Sequence, residues 1–334
     1  MQAFVTGSTG LLGSNLVRLL LDQGYDVKAL ARSGEKAERL LGDTRAQIVV
    51  GDMLDVDGFA GELAGCDVLF HTAAYFREYY QRGDHWPMLD AVNIKGTIRL
   101  LEAAERHGVA KAIHTSSASV IARGSNGTPS DESSPYSHLS EVSLYAKSKK
   151  LAEQAIFEFL KTHDLPVVLV LPGWILGPSD AAPTTSGQMV LDYLAGKLRI
   201  VPPGGLRPTD ARDVAQAMIN AVEHGQSGER YIVSGDLIAL NDVFQVLEKV
   251  TGIPAPTRKI PFRVLLVIAW VAQNAARFTG RQPLTTVNAV RTIYHQHPVS
   301  SRRAERELSL TLRPLADTLR DEVNWFRAHG YLAN

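Results

Sequence analysis

Gly7, Gly10 and Gly13 stand three residues apart in Thr6-Gly7-Ser8-Thr9-Gly10-Leu11-Leu12-Gly13. The triplet follows a short apolar run and opens an amphipathic one. Gly7 permits a tight turn, Gly10 lets backbone approach a pyrophosphate, and Gly13 lets a helix pack close to a strand. The N–H groups exposed around Thr9 and Leu11, with the positive end of the helix, suit a phosphate. A second pair, Tyr145 and Lys149, lies in Tyr-Ala-Lys-Ser-Lys. Residues i and i+4 share a helix face, so the ammonium can sit under the phenol. A free tyrosine titrates near ~10, and nearby positive charge favours its phenolate. Moving that value to ~7 takes roughly 4 kcal/mol of differential interaction. Lys147 and Lys150 fall on other faces and read as solvated. Ser116 and Ser117 end a strand pattern, where a serine can donate a hydrogen bond to a substrate oxygen.

The elements that must position these residues alternate along the first half. Strands are expected at Ala3–Thr6, Val27–Ala31, Gln47–Val50, Val68–His71, Ala112–Thr115 and Val167–Leu171. Helical patterns lie between them at Leu11–Asp22, Lys36–Leu41, Phe59–Leu63, Met88–His107 and Ser143–Thr162. In the first, Leu12, Leu16, Leu19 and Leu20 recur at helical spacing. Such alternation predicts an α/β fold, a doubly wound parallel sheet covered by helices on both faces. After Pro172 prolines cluster and the pattern turns mainly helical, with one short strand at Arg230–Val233. We therefore expect a dinucleotide-binding domain over 1–172 and a smaller substrate lobe over 173–334, interleaved with the first sheet.

The chain has 334 residues, 45% of them hydrophobic, enough for a core without metal or disulfide. Lys+Arg and Asp+Glu are both 35. With no net charge, no attraction to nucleic acid or lipid is expected from the whole molecule, so an anionic ligand must be held locally. The single Cys66 excludes an internal disulfide and a multi-cysteine zinc site, and no metal is expected. It reads as a small core residue. The start carries no signal-peptide pattern, so a cytoplasmic location is expected. The run Val264 to Ala272, VLLVIAWVA, is too short to span a bilayer. Despite basic neighbours at Arg258, Lys259 and Arg263, it reads as a helix packed in the small lobe or at a lid, with no membrane contact.

The Gly-x-x-Gly-x-x-Gly spacing and the Tyr-x-x-x-Lys pair resemble the extended short-chain dehydrogenase/reductase superfamily, in its NAD-dependent epimerase/dehydratase family. Dihydroflavonol-4-reductase-like and 3β-hydroxysteroid-dehydrogenase-like members look most alike. The resemblance implies a Rossmann fold and catalysis by Ser117, Tyr145 and Lys149, with Ser116 the alternative register for the serine. It implies that Asp52 and Met53 contact adenine, and that Thr72, Ala73 and Ala74 lie beneath the cofactor. Leu171-Pro172-Gly173-Trp174-Ile175-Leu176-Gly177-Pro178 resembles the segment that wraps the nicotinamide, through Pro172, Gly173 and Ile175. Asn93 matches a position that steadies the active-site wall.

In NAD enzymes an acid at the end of the second strand binds the ribose hydroxyls. Here that place holds Ala31, followed by Arg32 and Ser33. A guanidinium can pair with a 2′-phosphate, so NADP(H) is preferred and NAD(H) remains possible. Tyr75, Phe76 and Tyr80, with Trp174, face the substrate side by resemblance and point to a hydrophobic or aromatic small molecule. The implied reaction is hydride transfer between the nicotinamide and a carbonyl or secondary alcohol. Two other readings stand beside it. A nucleotide-sugar epimerase/dehydratase would present arginines to a diphosphate, and Arg207 lies one residue off the usual place. A non-catalytic NADP-binding redox sensor would commonly lose Tyr145 or Lys149. The resemblance also implies a homodimer packed through the Met88–His107 and Ser143–Thr162 helices.

Overall fold

The computed structural model describes residues 1–76, 84–124, 128–141, 143–279 and 286–332. The chain runs β1 (Gln2–Thr6), α1 (Leu11–Asp22), β2 (Asp26–Ala31), α2 (Gly34–Leu41), β3 (Gln47–Val50) and β4 (Val68–His71). Then come α3 (Trp86–Leu89), a π-helical turn (Asp90–Lys95), α4 (Gly96–Arg106), β5 (Lys111–Thr115), α5 (Leu144–Phe159) and β6 (Val167–Pro172). The second half holds β7 (Trp174–Leu176), α6 (Thr185–Leu194), β8 (Ile200–Val201), β9 (Gly205–Leu206), β10 (Pro208–Asp210), α7 (Ala211–His224) and β11 (Arg230–Val233). It ends with β12 (Ile238–Ala239), α8 (Leu240–Thr251), β13 (Arg258–Lys259), α9 (Phe262–Thr279), α10 (Val287–Tyr294), α11 (Arg302–Glu307) and α12 (Leu315–Ala328).

The main sheet has seven parallel strands in the order β11-β6-β5-β4-β1-β2-β3. It is the expected doubly wound sheet. The order reverses between β1 and β4, so a crevice opens beyond their carboxyl ends, where such folds bind ligands. Its strands are apolar on both faces. Phe4, Leu69 and Leu169 join one core with Leu100, Leu101 and Ile156 of α4 and α5. Ala3, Val5, Val68 and Phe70 join another with Leu16, Val17 and Leu20 of α1 and Val214 and Met218 of α7. A third core, around Tyr193, Phe244, Leu319 and Phe326, belongs to α6, α8 and α12. The strand read at Arg230–Val233 is an edge of the main sheet, so the late chain re-enters the early one.

Three expectations are corrected. Phe59–Leu63 is a 3-10 turn over Ala60–Leu63, not a helix. The single helix expected at Met88–His107 is divided by the π-helical turn, which carries Asn93. The Val264–Ala272 run is packed on one side only. Leu265 and Ala269 meet Val290 of α10, while Val267 and Trp270 are each 61% exposed. By contrast, the only exposed large apolar side chain described on α3, α4 or α5 is Leu144.

Candidate active site

The turn after β1 is built around contacts that exclude side chains. Gly7 has φ +69, and a Cβ there would lie 2.7 Å from the Ala73 nitrogen. A Cβ on Gly13 would lie 2.2 Å from the Gly7 carbonyl oxygen. The loop is thus pressed between the end of β4 and the first turn of α1. Gly10, by contrast, is exposed and meets only the Gly7 oxygen, at 3.3 Å. No side chain caps α1, which leaves its first N–H groups for a ligand. Leu11 is buried, so it offers backbone, and Thr9 is part-exposed. The cradle fits a dinucleotide pyrophosphate.

Neighbouring strand ends are stapled to it. Thr72 Oγ1 donates to the Thr6 carbonyl at 2.7 Å, and the Ala73 N–H donates to Thr6 Oγ1 at 3.3 Å. Thr6 Oγ1 also meets His71 Nδ1 at 2.7 Å, while His71 Nε2 meets Thr97 Oγ1 at 2.9 Å. Burial pushes His71 down to about 3, so this support is neutral. Ala74 follows, part-buried. At the end of β2, Arg32 and Ser33 are exposed, and Ser33 Oγ caps α2 by accepting from the Lys36 N–H at 3.2 Å. Asp26 starts β2 and lies at the other end of the strand. Asp52 turns the chain after β3 by accepting from the Leu54 N–H, and Met53 is buried in the core that also holds Val92 and Leu100.

Lys149 is buried, and its Nζ donates to the Thr115 carbonyl at 2.7 Å. It lies 5.9 Å from the centre of the Tyr145 ring. Tyr145 is part-exposed. The bond to Thr115 ties α5 to the last residue of β5, directly before the serine pair. The two serines face different surroundings. Ser116 is buried and donates to Glu153 Oε1 at 2.5 Å. Ser117 is part-exposed, and its Oγ lies 2.9 Å from Ser119 Oγ. Ser117 is therefore the one of the pair with accessible surface.

Glu153 was not singled out from the sequence. It sits on α5 one further step of four from Tyr145 and Lys149, fully buried, with Arg230 Nη1 at 3.6 Å from its Oε2. The i, i+4, i+8 spacing was the available signal. Burial pushes the Lys149 ammonium down to about 8, and the charge of Glu153 opposes that fall. Below about 8 the ammonium is charged and can favour the Tyr145 phenolate; above it that help is lost. We therefore expect kcat/KM to decline as pH rises through that region, and Glu153→Gln to move the decline to lower pH. A pH–rate profile of both proteins checks this. A wild-type profile flat through that region, or no shift in the variant, contradicts it.

Asn93 joins the chain after β4 to the side of α5. Its Oδ1 accepts from the Tyr75 N–H at 2.7 Å, and its Nδ2 donates to the Tyr75 carbonyl at 2.9 Å and Ser148 Oγ at 3.0 Å. The candidate substrate residues divide. The Tyr75 hydroxyl lies 2.8 Å from His85 Nδ1, and its ring packs on the core. Phe76 is part-buried, and Trp174 packs against the lobe core. Tyr80 lies outside the described residues.

Downstream, Pro172 ends β6. A Cβ on Gly173 would lie 2.5 Å from the Arg207 carbonyl oxygen, which also accepts from the Trp174 N–H at 2.7 Å. Ile175 is part-buried beside the α1 and α7 core. The Arg207 guanidinium is buried, with Nε donating to Gln296 Oε1 at 3.1 Å and Nη2 near the Ala118 carbonyl at 3.5 Å. It thus ties the lobe to the serine loop, a placement spacing alone did not reveal.

Residues 3–234 match the NAD dependent epimerase/dehydratase family, and the chain belongs to it. It is an enzyme of the NAD(P)-dependent dehydrogenase/reductase class of the extended short-chain type. A Synechocystis protein provisionally named dihydroflavonol 4-reductase is 34% identical over 336 residues, covering 98% of this chain and 95% of its own. Sterol demethylase protein B of Methylococcus capsulatus is 33% identical over 334 residues, covering 99% of this chain and 100% of its own. The crystal structure of gox2253 superposes with a TM-score of 0.84 at 34% identity, covering 99% of each chain.

Proposed function

We propose that this protein is an NADP(H)-dependent oxidoreductase acting on a carbonyl or secondary alcohol of a hydrophobic or aromatic small molecule. The carrying observation is the Tyr145–Lys149 face of α5, anchored by Lys149 to the end of β5 beside the accessible Ser117. The bound nicotinamide supplies or accepts the hydride. Ser117 donates a hydrogen bond to the reacting oxygen and polarises it. Tyr145 gives that oxygen its proton in reduction and takes it back in oxidation. Lys149 holds the ribose and favours the phenolate of Tyr145 between the two events. Relatives named for a dihydroflavonol and a sterol support a ring-bearing, largely apolar substrate.

Arg32 supports the choice of NADP(H). Its guanidinium is exposed at the end of β2, next to the α2 N-terminus, with no acid in the adjoining strand end. Paired fluorescence titrations with NADPH and NADH test this. Wild type is expected to bind NADPH about 10- to 100-fold more tightly, the range of a charged hydrogen bond, and Arg32→Ala to lose the difference. Equal affinities in wild type would overturn the preference.

A further inference from the structure

The outward side of α9 is apolar and uncovered. Val264, Val267, Ile268, Trp270 and Val271 are between 42% and 61% exposed. Their spacing sets them in adjoining stripes at three- and four-residue steps, one continuous face along the middle of the helix. Leu265 and Ala269 on the opposite side satisfy the packing with α10. The other exposed large apolar side chains described are scattered along the chain, whereas these five stand on one helix, and a grouped patch of this kind marks an interaction surface.

Charge says what covers it. The whole chain is neutral, yet residues 249–304 contain no Asp or Glu and nine Lys and Arg. Arg258 and Lys259 of β13, Arg263 at the start of α9 and Arg291 of α10 are exposed. Arg263 stands four residues before Val267, at the head of the apolar face. An apolar helix face with a tryptophan, in a stretch of chain whose charged residues are all cations, matches the interface of an anionic bilayer, where acyl chains receive the apolar residues and phosphates the cations. No described helix is long and apolar enough to cross a membrane, so α9 would lie in the plane of the surface. We propose that the α9 face docks this enzyme on anionic phospholipid membranes.

The test is co-sedimentation of the full chain with vesicles of phosphatidylcholine alone and of phosphatidylcholine with phosphatidylserine. Binding is expected to the anionic vesicles, with Trp270 emission shifting to the blue. Val267→Glu/Trp270→Glu is expected to weaken it about tenfold or more, with NADPH binding and thermal unfolding unchanged. Arg258→Glu/Lys259→Glu/Arg263→Glu is expected to remove the preference for anionic lipid, as is raised salt. Absence of binding to either vesicle, or equal binding by the Val267→Glu/Trp270→Glu variant, overturns the proposal. So does a doubled mass in sedimentation equilibrium that this variant returns to one chain, because the face would then join two copies.

Discussion

Tyr145→Phe is expected to lower kcat by about 10²- to 10⁴-fold, the range of a lost general acid, while NADPH affinity changes little. The ring is kept, so packing in the first turn of α5 is kept. Only the phenolic oxygen goes, from a residue that Lys149 faces at 5.9 Å. In the proposed mechanism Ser117 remains to polarise the carbonyl, so residual activity rather than none is expected. Steady-state kinetics with parallel fluorescence titration separate the two effects. A variant with unchanged kcat removes Tyr145 from the chemistry, whatever its position.

The second large effect falls on the cradle. Gly13→Ala sets a Cβ 2.2 Å from the Gly7 carbonyl oxygen and 2.9 Å from the Ser8 Cα. Both are backbone contacts, so the loop must move. Overpacking of this kind costs about 1–3 kcal/mol in stability. Displacement of the phosphate-binding N–H groups by about an ångström is expected to weaken NADPH binding on the order of 100-fold. Gly10→Ala is the informative partner, because its Cβ meets only one atom, at 3.3 Å. It should unfold like wild type and lose affinity through contact with the ligand. Thermal unfolding and NADPH titration of both variants check the pair, and full affinity in Gly13→Ala contradicts the cradle.

Much of the fold was legible because the parallel sheet is buried on both faces. Runs such as Val167–Leu171 read as strands from apolar content alone, and the glycine triplet marked where β1 passes into α1. The π-helical turn at Asp90–Lys95 was hidden, since one added residue barely disturbs an apolar period. The two-residue strands β8, β9, β12 and β13 are set by pairing with distant segments, which local propensity does not encode. In the candidate site, Tyr145 and Lys149 announced themselves by spacing, and the resemblance put the serine at Ser117 with Ser116 the alternative register; that Ser116 bonds Glu153 could be seen only in the structure. The apolar run of α9 read as a helix packed in the small lobe or at a lid, because composition cannot distinguish a covered face from an open one.

The most direct measurement is hydride tracing with NADPH deuterated at its transferable position, across a panel of apolar ketones including flavanones and steroids. The expected result is an alcohol product carrying deuterium on the former carbonyl carbon, formed by wild type and nearly abolished in Tyr145→Phe. NADPH binding without turnover of any compound, and with no difference in the variant, would mark a sensor. Inversion of a nucleotide sugar without net NADPH consumption would mark an epimerase, and either result would contradict the account.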